Sequence, residues 1–214
     1  MAPGYPGAIS GTIMSSLLHT YTDGPTTAPT WLVLHPRLSD LDQARTIGAS
    51  LLPALTRRIA VQSGRTQTYG GAGLPLGYFW YVGPEHNPEL STLGDGLFQL
   101  EQLLLERSGH GKVGLLGVGE GGTMALLLAL TWPDRVHALA VMDAAWPENL
   151  DRMPIAARDL AALPTYLGGA SAQTQYPDLF ASRGATVATG DAAGLRAWLE
   201  TQTTSIEGHT HAEP

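Results

Sequence analysis

One segment constrains the fold more than any other: Lys112-Val-Gly-Leu-Leu-Gly117-Val-Gly119-Glu120-Gly121-Gly122-Thr-Met-Ala-Leu-Leu-Leu. A continuous apolar run, Val113 to Val118, enters a cluster of glycines and leaves it as a stretch, Thr123 to Thr131, that is apolar nearly all round. A strand covered on both faces reads as an unbroken apolar run, and a helix apolar on every side has to pack centrally. The chain must turn tightly from a buried strand into a buried helix.

Similar short runs, bounded by Gly, Pro or Asp, recur at Trp31 to Leu34, Ile59 to Val61 and Ala138 to Met142, and more weakly at Tyr166 to Gly168 and Ala185 to Ala188. Helical patterns lie between them. Leu93, Leu97, Leu100 and Leu104 trace one face of a helix that Ser91 is placed to cap and Gly109 to end, and a final helix from Ala192 to about Gln202 carries Leu195, Trp198 and Leu199. Strands alternating with helices specify an α/β fold, because each parallel return needs a crossover. The expectation is a single α/β domain over residues 12–203, with a mainly parallel sheet and helices on both faces. A flexible Gly/Pro-rich arm (1–11) precedes it and a flexible polar tail (204–214), with His209 and His211, follows.

Composition excludes several functions. Charged residues are 14% of the 214, against a usual ~25%, and the net charge is −7, with scattered arginines and no basic patch for a nucleic acid. The absence of Cys removes disulfides, thiolate nucleophiles and Cys-ligated zinc. No run approaches the ~20 apolar residues of a membrane span, and residues 1–11 lack the basic start of a secretory signal. A cytoplasmic protein without metal or cofactor is expected, with a small-molecule ligand and a homodimer or paralogue partner as possible associations.

Ligands of open α/β sheets gather beyond the carboxyl ends of the strands, which directs attention to the glycine turn. Gly117, Gly119 and Gly122 fit a dinucleotide-binding Gly-x-Gly-x-x-Gly formally, but no strand-end acid follows at the required distance, since Asp134 comes after a helix. A phosphate-binding P-loop fails for want of Gly-Lys-Ser/Thr. The third reading is a nucleophile elbow, Gly-x-Ser-x-Gly, with small residues two before and two after the nucleophile.

The segment Gly117-Val-Gly-Glu-Gly-Gly122-Thr-Met-Ala-Leu resembles the elbow of the carboxylesterase/phospholipase branch of the α/β-hydrolases, Gly-Phe-Ser-Gln-Gly-Gly followed by Ala, Met and Leu. Trp31-Leu-Val-Leu-His35-Pro36-Arg37-Leu38-Ser39-Asp40 is similar to that family's strand and oxyanion loop. Gly77-Tyr-Phe-Trp80-Tyr is similar to its Gly-x-x-Trp-Phe segment, and Leu163-Pro164-Thr-Tyr-Leu-Gly168-Gly to its late strand. The resemblance runs in order from about Ser15 to Leu199 and implies an α/β-hydrolase fold.

Set against that family, the catalytic positions are altered. Gly119 stands where the nucleophilic Ser is expected, and a glycine cannot form an acyl-enzyme. Gln173 stands at the acid position and cannot supply a negative charge to a catalytic imidazole. The family's Gly-x-Gly-His turn is absent, because Gly190-Asp191-Ala192 leads straight into the last helix. The resemblance also implies oxyanion donors at the amides of Glu120 and Arg37, although Pro36 replaces a glycine of that loop.

Candidate ligand-binding residues around the turn are His35, Arg37, Trp80, His86, Glu120 and Asp143, with Tyr81, Trp146 and Tyr176 in bordering loops. Asp143 has a second reading as a turn cap. His19 belongs to an early strand, while His110 and His137 precede strands and fall at the opposite end of the sheet. Three functions stay open: a non-catalytic binder of a small acyl-like or aromatic ligand or of a partner, an esterase with relocated residues among Glu120, Asp143 and His86, and a structural subunit.

Overall fold

The computed structural model describes residues 18–69, 73–155 and 157–210. A seven-stranded sheet runs in the order β1-β3-β2-β6-β7-β8-β9. Its strands are β1 (His19–Asp23), β2 (Thr30–Leu34), β3 (Arg57–Gln62), β6 (Val113–Val118), β7 (Val136–Met142), β8 (Pro164–Gly168) and β9 (Thr186–Gly190). Only the edge strand β1 is antiparallel to its neighbour; the other pairings are parallel. A separate hairpin, β4 (Arg65–Thr68) and β5 (Pro75–Phe79), joins the loop after β2 through a bridge between Ser39 and Tyr78.

The apolar runs became strands for the reason the sequence suggested. Leu115, Leu116, Leu139, Ala140 and Val141 are fully buried, as expected of strands covered on both faces. On one face α1 (Leu41–Leu51) and α5 (Ala192–Thr210) enclose Trp31, Val33, Leu116 and Tyr166. On the other, α2 (Leu90–Arg107), α3 (Glu120–Thr131) and the short α4 (Tyr176–Ser182) cover Leu32, Leu34, Leu115 and Val141.

Two helix boundaries differ from those read from the sequence. Glu89, not Ser91, caps α2: its carboxylate accepts the amides of Ser91 at 3.2 Å and Thr92 at 2.9 Å, so Ser91 supplies a donor inside the first turn. That helix ends at Arg107, and Gly109 sits in the 3-10 turn Ser108–His110 that follows. Helix α5 continues to Thr210 instead of stopping near Gln202, so the segment expected as a tail is helical through His209. Extending a nucleated helix gains one backbone hydrogen bond per residue fixed. The arm 1–11 and His211 lie outside the described residues.

The order of the strands fixes where a site can be. Going from β2 the chain moves outward to β3, then returns to place β6 on the other side of β2 and continues outward through β7, β8 and β9. The crevice at such a reversal, beyond the carboxyl ends of β2 and β6, is the usual binding position in open parallel sheets.

Candidate active site at the glycine turn

Gly119 occupies the tip of the turn between β6 and α3 with φ 55° and ψ −125°, a combination almost confined to glycine. Its amide donates to Met142 O at 2.9 Å, tying the tip to β7. The glycines on either side are needed for space. A Cβ on Gly117 would lie 2.4 Å from Gly121 O, and one on Gly121 would lie 2.5 Å from Leu34 O. The turn is thus pressed between its own helix and β2. At Gly119 an added Cβ would meet only Pro36, with its Cβ at 3.3 Å.

Glu120 begins α3 and is fully buried. Its carboxylate turns inward: Oε2 accepts the amide of Trp80 at 3.0 Å, and Oε1 pairs with the Arg37 guanidinium. Arg37 also donates to Tyr81 O at 3.1 Å and Gly83 O at 2.6 Å, with its guanidinium carbon 5.8 Å and 5.9 Å from the Phe79 and Tyr81 ring centres. One ion pair therefore clamps the loop after β2 to the start of α3 and to the segment after β5. Burial pushes the Glu120 carboxyl up to about 7, against the opposing pull of the Trp80 amide and Arg37.

His35 is fully buried and held from both sides. Nδ1 lies 2.7 Å from Pro36 O, a group that only accepts, and Nε2 accepts the Ser63 amide at 3.1 Å. The proton is therefore on Nδ1, the ring is neutral, and neither nitrogen is left for a substrate. Burial lowers its pKa from the ordinary histidine value. Trp80 stacks on it with ring centres 5.1 Å apart and donates Nε1–H to His35 O at 2.9 Å.

Several of the expected ligand-binding side chains bond within the protein. Trp80 and Tyr81 are buried in the core. Glu120 and the Arg37 side chain serve each other. Tyr176 is buried too, donating to Ala145 O at 2.8 Å, with Trp146 edge-on at 4.9 Å between ring centres. Asp143 does stand beside the turn, at φ 56° and exposed, but Oδ1 accepts the Ala170 amide at 2.9 Å and so caps the loop after β8. His86 is exposed in the loop after β5, where its carbonyl accepts the Glu148 amide at 2.7 Å. Gln173 is exposed in a 3-10 turn, and Asp191 alone connects β9 to α5.

The sequence reading missed two serines that hold this region. Ser63 fixes the tautomer of His35, and Ser171 Oγ accepts the Ala144 amide at 2.7 Å, bracing the loop after β7. Neither has a local signature, since each acts on a residue distant in the chain. Among the described residues no cluster of three or more His, Asp or Glu could hold a metal, and no helix is long and apolar enough to cross a membrane.

Neither a family model nor a curated protein sequence matches the chain. Solved structures do. A carboxylesterase from Bacillus cereus superposes with a TM-score of 0.70 at 12% identity, covering 88% of this chain and 96% of that one. A carboxylesterase from Mesorhizobium loti gives 0.64 at 18% identity, covering 88% and 97%. The Zea mays acyl-protein thioesterase 2 gives 0.65 at 13%, covering 86% and 99%. The fold is the α/β-hydrolase fold. β6 is the middle strand of the seven, and the turn at Gly119 follows it directly.

Proposed function

We propose that this chain is a non-catalytic member of the α/β-hydrolase fold that binds a small acyl-like or aromatic ligand in the crevice beside Gly119. The observation that carries the reading is the elbow itself: its conformation is kept while the residue at its tip is glycine. Acyl transfer through a covalent intermediate needs a nucleophile there, a base within hydrogen-bond reach and a group to orient that base. The surrounding candidates are committed elsewhere. His35 has both nitrogens bonded within the protein, Glu120 faces Arg37 and Trp80, and Asp143 caps the Ala170 amide.

The ligand class follows from what the backbone retains. The first amides of an α-helix have no partner within the helix, and its amino end, here beside Gly119, carries partial positive charge. A carbonyl or carboxylate oxygen suits them. Support also comes from the structural neighbours named as carboxylesterases and an acyl-protein thioesterase.

The test is direct. A fluorophosphonate probe should leave the protein unlabelled, and p-nitrophenyl acetate should be hydrolysed no faster than with an inert protein of equal concentration. Covalent labelling of any serine would overturn the reading and favour relocated catalytic machinery. Titration with octanoate, followed by amide NMR shifts at Gly119 and Glu120, tests the binding half.

A further inference from the structure

The amino ends of β6, β7 and β8, at the pole of the sheet opposite the elbow, open on a cavity of about 480 Å³. That volume is within the usual range for small-ligand sites. Its inner wall is apolar, with Val136, Leu160 and Leu163 all buried. Its rim carries the charge.

Lys112, exposed just before β6, has no carboxylate within ion-pair distance among the described residues. Arg158 reaches Asp134 at 3.5 Å, but Asp134 also faces Arg135 at 3.7 Å, so one carboxylate is divided between two guanidinium groups. The Arg158 guanidinium carbon lies 5.0 Å from the centre of the Trp132 ring, which steadies it at the mouth. Asp159 is occupied by its own loop, where Oδ1 accepts the Ala161 amide at 2.9 Å. His137 adds no charge. Its Nε2 faces Thr30 O at 3.4 Å, a group that only accepts, so the proton sits on Nε2 and Nδ1 keeps its lone pair.

The wall is also built at a conformational cost. Ala161 and Ala162 are consecutive left-handed residues, with φ 45° and 61°, at positions where glycine or asparagine is usual. They are held so by Ala162 N to Gly184 O and Leu160 N to Arg183 O, both 2.8 Å. On the other side a register shift opposite Val113 and Gly114 makes His137 the extra residue of a bulge in β7. Strain of this kind persists where surrounding contacts over-determine it, and it gathers at ligand sites.

We propose that this cavity is a second ligand site, separate from the elbow crevice, that takes a small organic monocarboxylate: the hydrocarbon body against Val136, Leu160 and Leu163, the carboxylate between Lys112 and Arg158. The chain as a whole carries −7, which repels anions in general, so the partly unneutralised cations of this rim give the selectivity for a single charge.

Phenylacetate is the probe, with phenylacetamide as its uncharged counterpart. Phenylacetate should shift the amide resonances of Lys112, Ala161 and Ala162 with a Kd of about 1 mM or tighter, and phenylacetamide should bind at least fivefold more weakly, the scale of one exposed ion pair. Lys112→Glu should weaken phenylacetate tenfold or more, and Lys112→Arg should retain binding within about twofold. Lys112 is exposed, so both variants should fold, as an unchanged amide spectrum elsewhere would show. Equal binding of the amide, unaltered affinity in Lys112→Glu, or shifts confined to Gly119 and Glu120 would each overturn the second site. The last pattern would still satisfy the elbow reading.

Discussion

At Gly119 the side chain at the tip of the turn between β6 and α3 is a single hydrogen. Gly119→Ser introduces a Cβ at φ 55°, where an ordinary residue costs roughly 1–3 kcal/mol, and sets it against Pro36. The variant should melt several degrees below the wild type and still fail to hydrolyse p-nitrophenyl acetate, because both ring nitrogens of His35, next to Pro36, are already bonded. A rate gain of three orders of magnitude or more, the scale of triad contributions, would mean that a base already stands there. Glu120 gives a second residue-scale prediction. Its folded pKa of about 7 lies above the 4.5 of an exposed glutamate, so between these values the folded state holds more protons than the unfolded state. Stability from this group is full below pH 4.5 and falls as pH rises toward 7, by roughly 1–3 kcal/mol. Glu120→Gln keeps an oxygen for Trp80 and Arg37 while removing the buried charge. Melting temperatures at pH 5, 6, 7 and 8 should fall for the wild type and stay flatter for the variant, with the two curves approaching each other at pH 5.

Helix α3 depends on how closely it approaches the sheet. From Gly121 to Leu130 every residue is buried, and each of its leucines contributes on the order of 1.5–3 kcal/mol. That burial requires the helix to start in contact with β2, at a spacing only glycine permits. Gly121→Ala would drive a methyl group into Leu34 O and His35 O, and should leave the protein largely unfolded at 37 °C by circular dichroism. By contrast Gly109→Ala, where nothing lies within 4 Å of the added atom, should leave the melting temperature within about a degree. This element was legible in the sequence because its signals are local: an apolar run, three close glycines and a second apolar run. The parallel strands were legible for the same reason. Of the edge strand β1 the sequence reading placed only His19, since four of its five residues are exposed and carry no apolar run.

At the scale of the whole molecule, the sheet is continuous from β1 to β9 and both helix layers rest on the same central strands. Thermal unfolding should follow as one cooperative transition by calorimetry, with no separate melting of the β8–β9 side. The candidate site was legible in outline only. The sequence singled out the glycine turn together with Arg37, Glu120 and Asp143, but it could not say that Arg37 and Glu120 neutralise each other. That contact is made by tertiary folding between distant segments, and it clamps the loop after β2 to the start of α3. The cavity at the opposite pole escaped notice because loops at the amino ends of strands have no recurrent motif to announce them.

The conformation of Gly119 has a handedness of its own. Reflected, its φ and ψ fall in the broad extended region that any L-residue occupies, so the turn is shaped for a residue of the opposite chirality. Glycine, being achiral, satisfies it without preference. In chemically assembled protein, D-alanine at 119 would match the backbone that L-alanine opposes, and the two epimers differing in stability would measure how firmly β6, β7 and α3 impose a mirror-image bend on a chain built from the natural hand.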